Sequence, residues 1–359
     1  MEPAYWTGVA PVAAEEYTVD ASGANLPEVM AGGAEPPVQL IDEVRDVYDK
    51  VGLVLISNTG LEDDMAAMGR IVTAASGDQA EEYSGGANSR SKLDTNVFDT
   101  GAPKEAHLHY HKEMAYLKVT PTRLGFCVHR AIEDGLRGST YVSNAALATD
   151  TIMKTELGEK LRDRGISYLR MLTDRESGLD DDPSSDSPVY NHWQTSFGVD
   201  TVEDVEALAA AKGLEFEWGA NRFLKTRFTV SAFEYFAPLD RNLLFSSVAD
   251  DSMWFDSWPG VRNLPTLDSF ASATEADRPL KIQFGDGTDF TREELRQFVD
   301  VIDSAGLPVA WRKGDVGLVC NYRWFHGRPA YELLPGEERT LGVVLGKMVD
   351  RVGQLDDKW

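Results

Sequence analysis

The chain has 359 residues, 42% of them apolar, and its 59 acidic against 35 basic side chains give a formal charge of −24. That charge repels phosphate backbones and anionic lipid, which argues against nucleic acid and membrane surfaces as partners. No run approaches the roughly 18–20 apolar residues of a membrane span, and Met1 to Asp20 lacks the basic-then-apolar order of a signal peptide.

A soluble intracellular protein is the expectation, cytoplasmic by default; a transit peptide removed beforehand would leave no trace. Residues 1–35, rich in Gly, Ala and Pro, read as an extended lead-in. Val38, Ile41, Val44, Val47 and Tyr48 recur with a helical period, and Gly52 ends that helix. Leu53–Ile56 reads as a buried strand, and Met65, Met68, Ile71 and Val72 as one face of a second helix. Val97-Phe98 and a longer run from Leu108 to Tyr116 read as strands, followed by Leu124–His129 and, after a turn at Arg137–Thr140, by Tyr141-Val142.

A helix is expected over about 151–163, then a strand at Tyr168–Leu172 and a mobile surface loop from Asp174 to Pro188, rich in Asp, Ser and Pro. Thr201 with Asp204, and Thr291 with Glu294, have capping-box spacing for helices reaching about Ala211 and Ser304. Strands follow at 222–233, 242–248, Pro308–Arg312, Val316–Asn321 and Thr340–Met348. Trp254, Phe255 and Trp258 cluster in a loop and read as core or lid, and Cys127 and Cys320 as two buried free thiols. This pattern is mainly β with peripheral helices. It reads as a jelly-roll in a single domain over 1–359, with residues at about 150–290 inserted as a lid region.

The chemistry concentrates in two stretches, His109-Tyr110-His111-Lys112-Glu113 and Asn321-Tyr322-Arg323-Trp324-Phe325-His326. Along a strand, residues i and i+2 share a face, so His111 and Glu113 are read as pointing together. Two histidines and one carboxylate form the facial triad of non-haem iron(II) oxygenases, with His326 as the third member. His107 and His109 share that alternation and blur the register. A His109-x-His111 pair with a later carboxylate is a rival assignment, but 115–118 hold no acid. Histidines in such a run can also be ordinary hydrogen-bonded strand residues. Arg339, thirteen residues after His326, favours the metal reading, because a keto-diacid cosubstrate needs a cation and a guanidinium fork binds carboxylate through two bonds.

The chain resembles the taurine dioxygenase/clavaminate synthase-like iron(II), 2-oxoglutarate-dependent oxygenases, and within them the clavaminate synthase-like proteins of plants. The likeness runs from about Tyr83 to Leu345. It is carried by Tyr83-Ser84-Gly85-Gly86-Ala87 with Arg90, Asn96-Val97-Phe98, His111-Lys112-Glu113-Met114-Ala115, Gly138-Ser139-Thr140, Trp193-Gln194, Phe284-Gly285-Asp286-Gly287, Lys313-Gly314-Asp315 and Arg339. The resemblance implies a double-stranded β-helix with iron(II) on His111, Glu113 and His326. It also implies that Arg339 and the Thr140 hydroxyl hold the 5-carboxylate of 2-oxoglutarate.

By the same likeness, the enzyme uses dioxygen to oxidise an unactivated C–H bond of a small, amino-acid-derived metabolite, by hydroxylation, desaturation or ring closure. Succinate and carbon dioxide are released. Two alternatives stay open: a protein-modifying oxygenase of the same chemistry, and a jelly-roll binding protein without turnover. Three positions depart from the family pattern: Arg137 stands before Gly138 in place of a glycine, Cys320 before Asn321 in place of an aspartate, and Val343 where relatives place an arginine for acidic substrates. The candidates to replace that last cation are Arg90 and then Arg323.

Overall fold

The computed structural model of the chain describes residues 10–77, 92–94, 97–99, 104, 108–132, 136–176, 192–247 and 280–359. Two sheets face each other. The larger has seven strands, in edge-to-edge order Thr18–Asp20, Leu53–Ser57, Val316–Cys320, Arg123–Arg130, Thr340–Leu345, Val97–Asp99 and Lys92–Asp94. The smaller runs Gly306–Val309, Thr140–Asn144, Trp324–Arg328 and Leu108–His111. Pairing is antiparallel throughout these two sheets, except between Thr18–Asp20 and Leu53–Ser57. Phe126 of the larger sheet meets His326 of the smaller across the shared apolar core, ring centroids 6.2 Å apart. This is the double-stranded β-helix the residues led one to expect.

Two helices close the outer face of the larger sheet. Val38–Val51 and Met65–Ser76 bury Ile41, Val44, Met68, Ile71 and Val72 against Val54, Cys127, Val316 and Val344. Each such side chain, fully buried, contributes about 1.5–3 kcal/mol. Gly125 lets the second helix sit close, since a Cβ there would lie 2.3 Å from a methyl of Val72. Gly52 ends the first helix with φ 76° and donates to the Tyr48 carbonyl, the left-handed C-cap that glycine adopts at least cost.

A further four-stranded sheet has the order Glu215–Trp218, Leu224–Val230, Ile166–Leu172 and Leu280–Phe284. Several boundaries differ from expectation. The helix expected at 151–163 is two, Ala145–Ile152 and Glu156–Arg164, because Asn144 and Thr155 each supply an N-cap oxygen and so start two helices. The 222–233 stretch is likewise two strands, Leu224–Val230 and Phe233–Phe236. The lead-in is not extended throughout: Ala14–Tyr17 and Leu26–Val29 are short helices, and Thr18–Asp20 joins the larger sheet. The last stretch divides into Thr340–Leu345 and Met348–Asp350, which pair with different partners.

Asp174, expected to open a surface loop, is 1% exposed. It accepts from Gln194 Nε2 at 3.0 Å and pairs with Arg222 Nε at 2.8 Å. The rest of that loop, 177–191, and the aromatic cluster at Trp254, Phe255 and Trp258 lie outside the described residues. Both cysteines are buried and free. No helix among the described residues is long and apolar enough to cross a membrane.

One buried acid makes the fold pH-sensitive. Asp303, at the end of helix Arg292–Asp303, is 4% exposed, and burial pushes its carboxyl up to about 7 despite a hydrogen bond from Tyr110. Below about pH 4 the carboxyl is protonated in both folded and unfolded chains, so burial costs nothing. As pH rises from about 4 to about 7 only the unfolded chain ionises, and folded stability falls. Asp303→Asn is therefore expected to gain on the wild type over that window in denaturant titrations, with a constant difference above it. A difference independent of pH would contradict this.

Candidate metal and cosubstrate site

The strand Leu108–His111 ends at His111, opposite His326 in the antiparallel register. His326 lies inside the strand Trp324–Arg328, not after a strand as its sequence context suggested. The two imidazoles are 4.1 Å apart between centroids. His111 Nδ1 donates to the His109 carbonyl at 2.8 Å, which fixes the tautomer and leaves Nε2 with its lone pair. His326 Nδ1 is buried with no hydrogen-bond partner among the described residues. Its ring is held by strand pairing and by contact with His111 and Phe126.

Glu113 is not in a strand. The chain turns after His111, and Met114 takes φ 57°, a left-handed conformation costing roughly 1–2 kcal/mol for a residue with a side chain. Asn321 holds this turn. Its Oδ1 accepts from Glu113 N at 2.9 Å, and its Nδ2 lies 3.1 Å from Glu113 O, 3.0 Å from Thr120 Oγ1 and 2.9 Å from Pro121 O. Thr120 Oγ1 also donates to Glu113 O at 2.7 Å. Such bonds are worth about 1 kcal/mol each, enough together to offset the strained turn. Lys112 is fully buried, donates to the Tyr322 carbonyl at 2.8 Å and lies 4.1 Å over the Phe325 ring. Burial holds its pKa well below the ordinary lysine value. The segment around Glu113 and the turn before His326 are thus tied together by side chains from both.

The result is a Glu113 Oε2 to His326 Nε2 distance of 3.5 Å, with candidate ligand atoms of His111, Glu113 and His326 all within 4.8 Å of one another. Among the described residues this is the one group of His, Cys, Asp or Glu spaced to hold a metal ion. The donor set, two imidazoles and a carboxylate that is 3% exposed, suits an iron(II) ion with three coordination positions left open.

The residues expected to hold the cosubstrate come from both sheets: Thr140 lies in the smaller one, and Arg339 immediately precedes the strand Thr340–Leu345 of the larger. Val142 pairs with His326, so Thr140 is two residues away, about 7 Å along the strand. Thr140 Oγ1 accepts from Trp311 Nε1 at 2.8 Å, which orients the hydroxyl and leaves its proton to donate elsewhere. Arg339 donates through Nε to Gly138 O at 2.8 Å, and its guanidinium carbon lies 5.2 Å from the Tyr331 ring. Gly138 has φ +76°, and a Cβ there would press on Arg339 at 3.2 Å, so this position needs glycine on both counts. Arg328 faces the same Tyr331 ring from 4.8 Å.

Other candidates are placed differently. Arg323 donates to the carbonyls of Asp49 and Lys50, at 2.9 and 2.7 Å, where the first long helix ends, a stabilising place for a cation. Arg90 and His107 lie outside the described residues. Val343 is 4% exposed and belongs to the shared core. Sequence reasoning passed over Asn321 as a site residue. Its only signal was a polar residue closing the apolar run Val316–Cys320 five positions before His326.

A double-stranded β-helix with two histidines and a carboxylate at one end of its core is the architecture of iron(II)- and 2-oxoglutarate-dependent oxygenases. The match of residues 14–345 to the family model described as taurine catabolism dioxygenase TauD, TfdA family, places the chain in that family, and it is an enzyme of that class. The chain is 25% identical over 254 residues to a clavaminate synthase-like protein of Arabidopsis thaliana, covering 70% of this chain and 69% of that one. It is 23% identical over 308 residues to the dapdiamide synthesis protein DdaC of Enterobacter agglomerans, covering 84% of each. Among solved structures, a taurine dioxygenase of Burkholderia xenovorans, 11% identical, overlays with a TM-score of 0.50 over 94% of this chain and 88% of its own. An asparagine oxygenase with Fe(II), 3-hydroxyasparagine and succinate, 11% identical, also gives 0.50, over 92% of each.

Proposed function

We propose that His111, Glu113 and His326 hold the iron, that Arg339 and Thr140 hold the distal carboxylate of 2-oxoglutarate, and that the substrate is a small, amino-acid-derived metabolite oxidised at an unactivated C–H bond. The convergence of the three ligand atoms within 4.8 Å, one strand step from Thr140, carries this reading. The iron with 2-oxoglutarate and dioxygen supplies the oxidant, releasing succinate and carbon dioxide. The chain supplies position. Asn321 fixes the Glu113 backbone, His109 sets the His111 tautomer, and Trp311 turns the Thr140 hydroxyl toward the cosubstrate. Glu113 and His326 are buried, which strengthens each charge contact there. The substrate class rests on the relatives: one is named for dapdiamide synthesis, and another was solved with a hydroxylated asparagine.

Arg339→Ala tests the cosubstrate assignment. It removes a half-buried guanidinium that also meets Gly138 O, Tyr331 and the charge of Asp99. Anaerobic titration of the iron(II) protein with 2-oxoglutarate should show the visible charge-transfer band at a Kd weaker by about 2–4 kcal/mol, the scale of a lost charge-assisted pair. Normal affinity in the variant would remove Arg339 from this role. Incubation with metabolite and peptide pools then separates a small-molecule enzyme from a protein-modifying one.

A further inference from the structure

We infer that Arg137 is a positioning residue for the cosubstrate: through Glu337 it pins the loop that carries Tyr331 and Arg339, and so aims the Arg339 guanidinium. This rests on the reading of Arg339 given above. Arg137 stands where the resemblance places a glycine. Its fork meets the Glu337 carboxylate in parallel, Nη1 to Oε2 at 2.5 Å and Nη2 to Oε1 at 2.6 Å. Nη1 also donates to the Glu332 carbonyl at 2.9 Å. Glu332 follows Tyr331, and Glu337 lies two residues before Arg339. The loop is therefore held beside each of the two side chains it brings to the site. On the other side, Arg137 is followed by Gly138, whose carbonyl accepts from Arg339 Nε at 2.8 Å. One side chain thus fixes both the acceptor of Arg339 and the loop that delivers it.

The loop's own bonds make Glu337 a rigid handle. Its backbone N–H donates to the Leu334 carbonyl at 3.0 Å, the Leu334 N–H donates back to Glu337 Oε2 at 2.7 Å, and Gly336 takes φ 88° between them. On the facing segment, the Ser139 N–H donates to the Leu136 carbonyl at 3.2 Å across Gly138. Two tight turns are thus joined by one ion pair. Fully exposed pairs are worth little. This one has side chains 22% and 25% exposed, and a planar fork on a carboxylate fixes direction as well as distance. Hydrogen bonds from Arg137 and then from the Leu334 N–H hold the Glu337 carboxyl down at about 2, so the pair stays ionised at any working pH. A misplacement of about 1 Å can cost about a hundredfold in rate, so a loop that sets the Arg339 fork matters to a ligand held at both ends.

The test is anaerobic titration of the full-length iron(II) protein with 2-oxoglutarate, read by the visible charge-transfer band. Arg137→Gln and Glu337→Gln should each weaken Kd by about tenfold or more, the low end of what losing an outer-shell partner costs at such sites. The two variants remove charges of opposite sign. Acting through the field alone, they would move the affinity for a dianion in opposite directions, down for Arg137→Gln and up for Glu337→Gln. A fall in both is the mark of position. The double variant should be no weaker than either single one. Arg137→Lys, which keeps charge without the fork, should fall between wild type and Arg137→Gln; it and Glu337→Gln carry the test if Arg137→Gln does not fold. Iron(II) affinity without 2-oxoglutarate should stay at the wild-type value in all of them, whereas general damage to the fold would lower it. Unchanged 2-oxoglutarate affinity, shifts of opposite sign, or a parallel loss of iron affinity overturns the positioning role. Arg339→Ala in the same series separates this role from the one it rests on. If Arg339→Ala weakens cosubstrate binding and the Arg137 variants do not, the positioning role alone fails; if none of them weakens it, the Arg339 assignment fails as well.

Discussion

With His326 replaced by alanine, iron(II) and 2-oxoglutarate are expected to give no charge-transfer band, and succinate formation should fall to background. The reason is geometric. His326 Nε2 is 3.5 Å from the Glu113 carboxylate and its ring 4.1 Å from that of His111, so the variant keeps two of three ligand atoms. Losing an outer-shell partner costs roughly 10–100-fold in metal affinity, and losing a ligand should cost more than that range. A stability measurement separates this from misfolding. In the wild type the metal binds the folded state alone, so iron(II) at about a hundred times its Kd adds about 2.7 kcal/mol. A chelator should remove that increment from the wild type and change nothing in His326→Ala. If the variant bound iron as tightly as the wild type, the assignment of His326 would be wrong.

The meeting of His111, Glu113 and His326 is legible in the sequence, but for a partly mistaken reason. Alternation along a strand predicts that Glu113 points with His111, whereas the strand ends at His111 and the chain turns through Met114 at positive φ. Periodicity is a local signal. The side chain that replaces the missing strand partner, Asn321, comes from more than 200 positions away, and nothing near Glu113 announces it. The same limit explains His326, whose strand Trp324–Arg328 is defined by pairing to Thr140–Asn144 and Leu108–His111. Helices with their own caps, such as Arg292–Asp303 behind Thr291 and Glu294, were legible because the signal lies within one turn.

Arg351 lies past the last strand expected from the sequence, Thr340–Met348, and its expected effect on the metal loop is large. Arg351 and Glu234 form an ion pair at 2.6 Å with side chains 1% and 0% exposed. Arg351 also donates to the carbonyls of Ala115 at 2.6 Å, Ser231 at 2.9 Å and Phe245 at 3.3 Å. Glu234 Oε2 accepts from the backbone of Val352 and Gly353 at 3.0 and 2.8 Å. Every charge is thus matched, and breaking one side exposes the asymmetry of buried pairs. Arg351→Met strands a buried carboxylate and should cost about 3–5 kcal/mol in urea unfolding. Arg351→Met combined with Glu234→Leu removes both charges and should recover most of that loss, because apolar replacements of a buried pair are often neutral. Recovery of stability should not restore iron affinity in full. Ala115, two residues past Glu113, loses its donor in both variants, so the turn that aims the carboxylate stays loosened. A single variant costing less than about 1 kcal/mol, the range of exposed pairs, would show that the tail is not braced by this ion pair. A double variant with wild-type iron affinity would show that the brace stops short of the metal loop.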